Sequence, residues 1–542
     1  MTSKKRLSRR AILKTGLATG GAALLCAQGA RKVSAQLGSP ATTPFVDELP
    51  IPPVAQPLGR GMPLRRAPFD PPPNPAAHQR YEEFHPRKFY DIPIVEAEHR
   101  FHRDLPPSRV WGYNGVVPGP TFIERYDTPI LVRFRNQLPA NHIGFGLPSV
   151  STHLHNAHVA SESDGFPLDF YEPGQYRDHH YPNILAGYDA FPPRGDEREA
   201  LGTLFYHDHR LDFTAPNVYR GLSGFYLLFD ERDSGHERDL NPRAFRLPSG
   251  PYDVPLVFND RRFTDDGQLF FDQLDLNGFI GDKFTVNGKI QPYFKVARRK
   301  YRFRLLNGGP SRFYEYFLSN GQPFIQIAND GNLLPAPLTR ASVRLGVAER
   351  ADVIIDFSQA RIGDQIFLEN RLQQANGRGP GNVGGTPTQL LRFEVDRDAE
   401  DPSVVPEKMR ELPAFDVNEA VTTRVWNFNA ARGAWQVNNR LFDSNRVDAT
   451  VKKGSAEIWD LRTGGGWSHP VHIHFEEFQV LSRNNGALPA EEIARKDIMR
   501  LAPGNQARVF LRFRDFTGKY VMHCHNMMHE DHAMMIWFEI VP

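Results

Sequence analysis

The sequence predicts an all-β protein built of three sandwich domains, and three observations carry that reading. One pattern recurs three times: Tyr113-Asn-Gly115-Val-Val-Pro-Gly precedes Leu131-Val-Arg-Phe-Arg-Asn136, Val286-Asn-Gly288-Lys-Ile-Gln-Pro precedes Tyr301-Arg-Phe-Arg-Leu-Leu-Asn307, and Val437-Asn-Asn439-Arg-Leu-Phe precedes Ala456-Glu-Ile-Trp-Asp-Leu461. In each, a turn of the Asn-Gly type leads about twenty residues later into an alternating apolar run, which is the signature of hairpins and strands. Long helical periodicities are few, and 44 Gly with 45 Pro cut the 542 residues into short segments, as sandwiches require. Histidine is distributed unevenly: none occurs between His236 and His469, so a middle unit without this residue separates two that carry it. One large barrel does not account for the threefold repetition.

The units follow in order. Residues 1–35 read as a twin-arginine export signal: Ser8-Arg9-Arg10, a short Gly/Ala/Leu core ending near Leu25, then Arg31-Lys32 and the small-residue stop Val33-Ser34-Ala35. The apolar core is too short for a permanent membrane span, and Leu25 before Cys26 argues against a lipoprotein signal. Residues 36–93 are Pro-rich, notably Phe69-Asp-Pro-Pro-Pro-Asn-Pro75, and predict an extended strap over the domains or a partly disordered arm. Residues 94–235 and 236–395 form the first two domains, and the charged, Pro-containing stretch 396–413 is the linker into the third, 414–542. Cleavage after Ala35 leaves 507 residues, about 170 per domain. It also removes eight basic residues and no acid, which takes the net charge from +2 to −6 and gives no reason to expect a nucleic-acid partner. Cys524 is then the sole cysteine, so an exported location brings no internal disulfide.

That cysteine carries the chemistry. In Tyr520-Val-Met-His523-Cys524-His525-Asn-Met-Met-His529-Glu-Asp-His-Ala-Met534 it has a histidine five residues on and a thioether ten residues on. A thiolate, an imidazole and a weak axial Met are ligands of a blue-copper site, whose second His must come from elsewhere in the chain. On a strand, alternate side chains face opposite ways, so His523 and His525 point away from Cys524 toward a second centre. The path between the centres is then one residue step, about 3.8 Å between Cα atoms. Three more His-x-His pairs occur, His153/His155, His207/His209 and His472/His474, the last preceded by His469. With 20 His in the chain, roughly 0.7 such pairs are expected by chance, against four found. Zinc gathers four ligands in one place; ten histidines in two distant groups plus one thiol suit copper better.

These motifs, with His102-Arg-Asp-Leu-Pro-Pro, Trp111-Gly-Tyr-Asn-Gly and Asn217-Val-Tyr-Arg-Gly-Leu, resemble the three-domain multicopper oxidases over nearly the whole chain after the signal, and most of all the spore-coat-type laccases and bilirubin oxidases. The resemblance implies cupredoxin-like Greek-key sandwiches and four copper ions. It assigns His469, Cys524 and His529, with Met534 axial, to a type 1 ion, and His153 and His472 to a type 2 ion. His155, His207 and His525 fall to one type 3 ion, and His209, His474 and His523 to the other. Met535 falls on the opposite face and reads as core, and His158 and His532 read as surface positions. The implied activity takes single electrons from a donor at an exposed edge of His469 or His529, passes them along Cys524 to His523 and His525, and reduces dioxygen to water. Glu530 and Asp164 match the family's acidic positions for proton relay; as residues alone they also fit a ligand-orienting acid and a turn residue. The stretch Asn156-Ala-His158 departs from the Gly-Gly of the close laccases.

Phenols or aromatic amines are the expected donors, with Mn(II) or Cu(I) as the rival class. Only nine Met occur, five of them in the last twenty-one residues, which argues against the Met-rich insertions often found in the family's cuprous oxidases. A non-enzymatic scaffold of the same fold is disfavoured by the complete ligand set. The remaining expectations are a periplasmic or secreted monomer, exported by the twin-arginine machinery.

Overall fold

A computed structural model describes residues 38–61 and 67–542. The export signal read at residues 1–35 lies outside them. Among the described residues no helix is long and apolar enough to cross a membrane.

Each repeat folds in the same way. Asn114 and Gly115, Asn287 and Gly288, and Asn438 and Asn439 all take positive φ, the conformation that a two-residue hairpin turn demands at both central positions. Their flanking residues close as Tyr113↔Val116, Val286↔Lys289 and Val437↔Arg440. The alternating run that follows becomes an inner strand lying parallel to the domain's first long strand. Ile130–Asn136 lies beside Lys88–His99, Lys300–Asn307 beside Asp253–Phe263, and Ala456–Thr463 beside Ala420–Ala431.

Two sheets make each sandwich: four strands face four in the first domain, eight face five in the second, and six face five in the third. Each encloses its own apolar core, around Trp111 and Tyr206, Phe303 and Phe393, and Trp459 and Phe538 respectively. The chain is thus three cupredoxin-like sandwiches, all-β with a few short helices.

The described parts of the Pro-rich segment lie along the domains. They bridge Glu48 to Tyr293 of the middle sandwich and Val54 to Thr121 of the first. Further on, Gln79 donates to the Glu162 carboxylate and exchanges hydrogen bonds with Thr517, tying the first sandwich to the third. Regular strand begins at Lys88, within the stretch that the prolines mark as strap.

Candidate metal centres

Four strands, the residues just past three of their ends and one short helix carry the ten histidines. Thr152–His155 pairs antiparallel with Thr203–Asp208, which sets His153 opposite His207. His469–Ile473 pairs antiparallel with Gly518–Cys524, which sets Val471 opposite Cys524 and His472 opposite His523. His525 follows directly, and the Asn526 side chain caps the short helix Met527–Asp531 that carries His529 and Glu530.

Strand parity sorts the side chains as expected. Cys524 Sγ lies 3.3 Å from His469 Nδ1 and 3.6 Å from His529 Nδ1, and those two nitrogens are 3.2 Å apart. Met534 is buried in the same core cluster as Cys524, its backbone bonded to Cys524 and His529. Met535 turns into a different cluster with Phe166 and Trp537.

On the other face of the strand the remaining eight imidazoles converge. The rings of His155, His207 and His525 lie 5.3–5.7 Å apart, centre to centre. Those of His209, His474 and His523 lie 4.7–5.4 Å apart, and His474 Nε2 is 3.3 Å from both His209 Nε2 and His523 Nε2. His153 and His472 close the group, each stacked on a ring of one triplet: His153 on His474 at 3.9 Å and His472 on His155 at 3.7 Å.

Seven of the eight rings, all but His525, are steered by what an outward nitrogen meets. His153 Nδ1 reaches the Asp164 carbonyl, His472 Nδ1 the Asp497 carbonyl, and His207 Nδ1 the Asp208 carbonyl. Asp164 Oδ2 accepts from His474 Nδ1 at 2.8 Å. Glu530 bridges the other two rings of that triplet, with Oε1 3.1 Å from His209 Nδ1 and Oε2 3.1 Å from His523 Nδ1, and it accepts a 2.6 Å bond from Thr214 Oγ1. Asp164 reaches this place because Gly165 follows it at φ 90°, where a Cβ would sit 2.3 Å from the Thr152 carbonyl oxygen. The carboxylate of Asp497, which the histidine spacing gave no reason to suspect, lies 3.2 Å from His155 Nε2. The one available signal is its place at the head of Ile498–Leu501, the strand that pairs with His469–Ile473.

The donor set fits copper. Buried polar atoms are ordinarily paired, yet His153 Nε2, His155 Nδ1, His207 Nε2, His472 Nε2 and both nitrogens of His525 have no hydrogen-bond partner among the described residues. Burial keeps these rings neutral, as metal ligands must be: it pushes His469 down to about 3, and burial with neighbouring His209 does the same for His207. Burial also pushes the Cys524 thiol up, so ion binding there must displace a proton. Burial raises Asp164, whereas Glu530 is raised by burial but pulled further down by the imidazoles of His523 and His209.

Two expectations require correction. His158 is not at the surface: it is buried and bonded to Asp515 Oδ2 at 2.8 Å, and that carboxylate also accepts the backbone N–H groups of Gly187, Tyr188 and Asp189. Nor do His469 and His529 offer an exposed edge, with 2% and 0% of their surface accessible. Trp435 lies over His529 with ring centres 3.7 Å apart, and the middle sandwich's Asn277 carbonyl accepts from His529 Nε2 at 3.0 Å. A non-local loop and an unforeseen tryptophan thus cover the rings. His532 is half-buried and donates from Nδ1 to the Met528 carbonyl.

Comparison with known proteins agrees with this geometry. Two family models, each described as multicopper oxidase, match residues 95–233 and 414–542. The chain is similar to a laccase of Bacillus subtilis (strain 168), at 32% identity over 91% of this chain and 97% of the relative. It is similar also to a bilirubin oxidase of Albifimbria verrucaria, at 33% identity over 92% and 82% of the two chains. Its fold matches the crystal structure of a laccase from Pediococcus acidilactici Pa5930 with a TM-score of 0.75, at 24% identity over 93% of this chain and 95% of that one. The chain therefore belongs to the multicopper oxidases, copper-dependent oxidoreductases that use four coppers and take dioxygen as acceptor, and its activity is laccase-like.

Proposed function

We propose that the protein couples one-electron oxidation of phenols or aromatic amines to reduction of dioxygen. His469, Cys524 and His529, with Met534, would hold the type 1 ion, and His153 and His472 the type 2 ion. His155, His207 and His525 would hold one type 3 ion, and His209, His474 and His523 the other. When bound, copper supplies one-electron redox chemistry at the first centre and four-electron reduction of dioxygen to water at the other three ions.

The observation that carries this reading is the position of Cys524, its sulfur among His469 and His529 while the adjacent His523 and His525 rings enter the two triplets. One side chain and one peptide unit give the shortest covalent route between the groups. Glu530 and Asp164 hold three imidazoles of one triplet and are carboxyl groups within reach for moving protons.

Aromatic donors are favoured by what surrounds the covered rings. The loop that caps His529 carries Leu274 and Leu276, 75% and 40% exposed. Trp467 packs edge-on against Trp435 at 5.1 Å, donates to Asn277 Oδ1, and lies under the Arg378 guanidinium. Apolar and aromatic groups of this kind suit a planar organic donor.

The N-terminal reading supports export through the twin-arginine machinery to a periplasmic or extracellular location. The test of function is oxygen uptake by the copper-loaded protein against phenols, aromatic amines, bilirubin, Cu(I) and Mn(II). Fast uptake with phenols or amines and none above background with either metal ion is the expected result. The reverse order would overturn the donor assignment.

A further inference from the structure

The middle sandwich supplies none of the converging imidazoles, yet one of its side chains reaches them through a single intermediary. Arg350 is fully buried, and its guanidinium clamps both oxygens of Asp497, with Nη1 to Oδ1 at 2.8 Å and Nη2 to Oδ2 at 2.6 Å. Its Nε donates to the carbonyl of Thr203, on the strand that carries His207. Asp330, also of the middle sandwich, accepts the backbone N–H groups of Asp497 and Ile498 through Oδ2. Lys496 Nζ lies 3.0 Å from that oxygen and so fixes Asp330 in turn.

Asp497 thereby has one available orientation, and in it the residue touches two rings from different sandwiches. Its side-chain Oδ1 meets His155 Nε2, and its carbonyl meets His472 Nδ1. The contact selects a nitrogen. His153, His207 and His472 are held at Nδ1 and keep Nε2 unpartnered, whereas His155 is held at Nε2 and keeps Nδ1 unpartnered. The hydrogen bond made by one ring nitrogen decides which nitrogen is left for a metal.

We propose that Arg350 and Asp497 form a positioning pair by which the ligand-free middle domain fixes His155 and His472, presenting His155 through Nδ1 to the three-copper group. Neither residue touches dioxygen or donor. The pair acts by orientation, and a planar bidentate fork is what holds a carboxylate in one rotation about its bond. The inference rests on the assignment of His155 and His472 as copper ligands.

The test compares Arg350→Lys and Asp497→Asn with Arg133→Lys, a control that makes the same change in a buried fork on Asp178 touching none of the ten converging histidines. Copper affinity is measured by chelator competition. The type 2 signal is followed by electron paramagnetic resonance, and the blue absorption is recorded alongside. The expected result for both pair variants is affinity at the three-copper group weakened roughly 10- to 100-fold, with an altered type 2 signal and full blue absorption. The control keeps both affinity and signal. Unchanged affinity and signal in the pair variants would overturn the proposal, and so would a blue band lost in parallel, since that marks a general folding role. His155→Ala separates this outcome from failure of the ligand assignment: if it also leaves copper content unchanged, the assignment itself is wrong.

Discussion

Cys524→Ser abolishes the blue colour and brings oxygen uptake with a phenolic donor to background. The prediction follows from chemistry and position together. A serine hydroxyl is a hard donor that does not replace a thiolate between two imidazoles, and Cys524 is the only cysteine among the described residues. No other thiol is at hand to take its place. The substitution also removes the sulfur that would join an ion held by His469 and His529 to the peptide carrying His523 and His525. The fold should survive, because the side chain is isosteric and the backbone N–H stays bonded to the Met534 carbonyl. Spectrophotometry and an oxygen electrode are sufficient to check it. A variant that retained the blue band would remove Cys524 from the site, and one that lost colour but kept full uptake would remove it from the electron route.

Glu530→Gln is the second large effect. The variant should load copper and stay blue, because Glu530 contacts His209 and His523 and neither ring at Cys524. Oxygen uptake should fall roughly 10²- to 10⁴-fold, the range for loss of a positioned proton donor or acceptor. The amide keeps a carbonyl oxygen for the Thr214 hydroxyl and can still contact the rings, so orientation is largely preserved while proton transfer is lost. Single-turnover kinetics locate the defect: reduction of the blue centre by donor should keep its rate, and reoxidation by dioxygen should slow. Equal slowing of both phases would assign Glu530 an orienting role alone.

Much of this site was legible because its ligands lie on short strands. A period of two turns every His-x-His pair to one face, so the sequence separates Cys524 from His523 and His525 before any tertiary contact is known. The three sandwiches were legible for a related reason: their hairpin turns need positive φ at both central residues, and Asn-Gly or Asn-Asn announces it. What escaped the sequence is non-local. Asp497 bears on His155 across 342 residues, and Arg350 bears on Asp497 across 147, with no motif at either position. His158 looked like a surface neighbour of a motif because its partner, Asp515, is 357 residues away. Trp435 and Asn277 cover the expected electron entrance for the same reason: one comes from a different strand and the other from a different sandwich.

The middle domain is the clearest case. The absence of histidine after His236 marked it as a unit without ligands, yet its Asn277 carbonyl contacts His529, and its Arg350 and Asp330 bear on His155 and His472 by way of Asp497. Such contacts are set by packing between domains, and no local pattern in the chain encodes them.

Ten imidazoles, one thiolate and one thioether would hold a type 1 ion and a three-copper group in a single chain. Copper analysis of the purified, fully loaded protein tests it most directly. Four copper ions per chain, one of them lost when Cys524 is replaced by serine, is the predicted result. A saturating content of two or fewer, or a content that does not change in the Cys524→Ser variant, would contradict it.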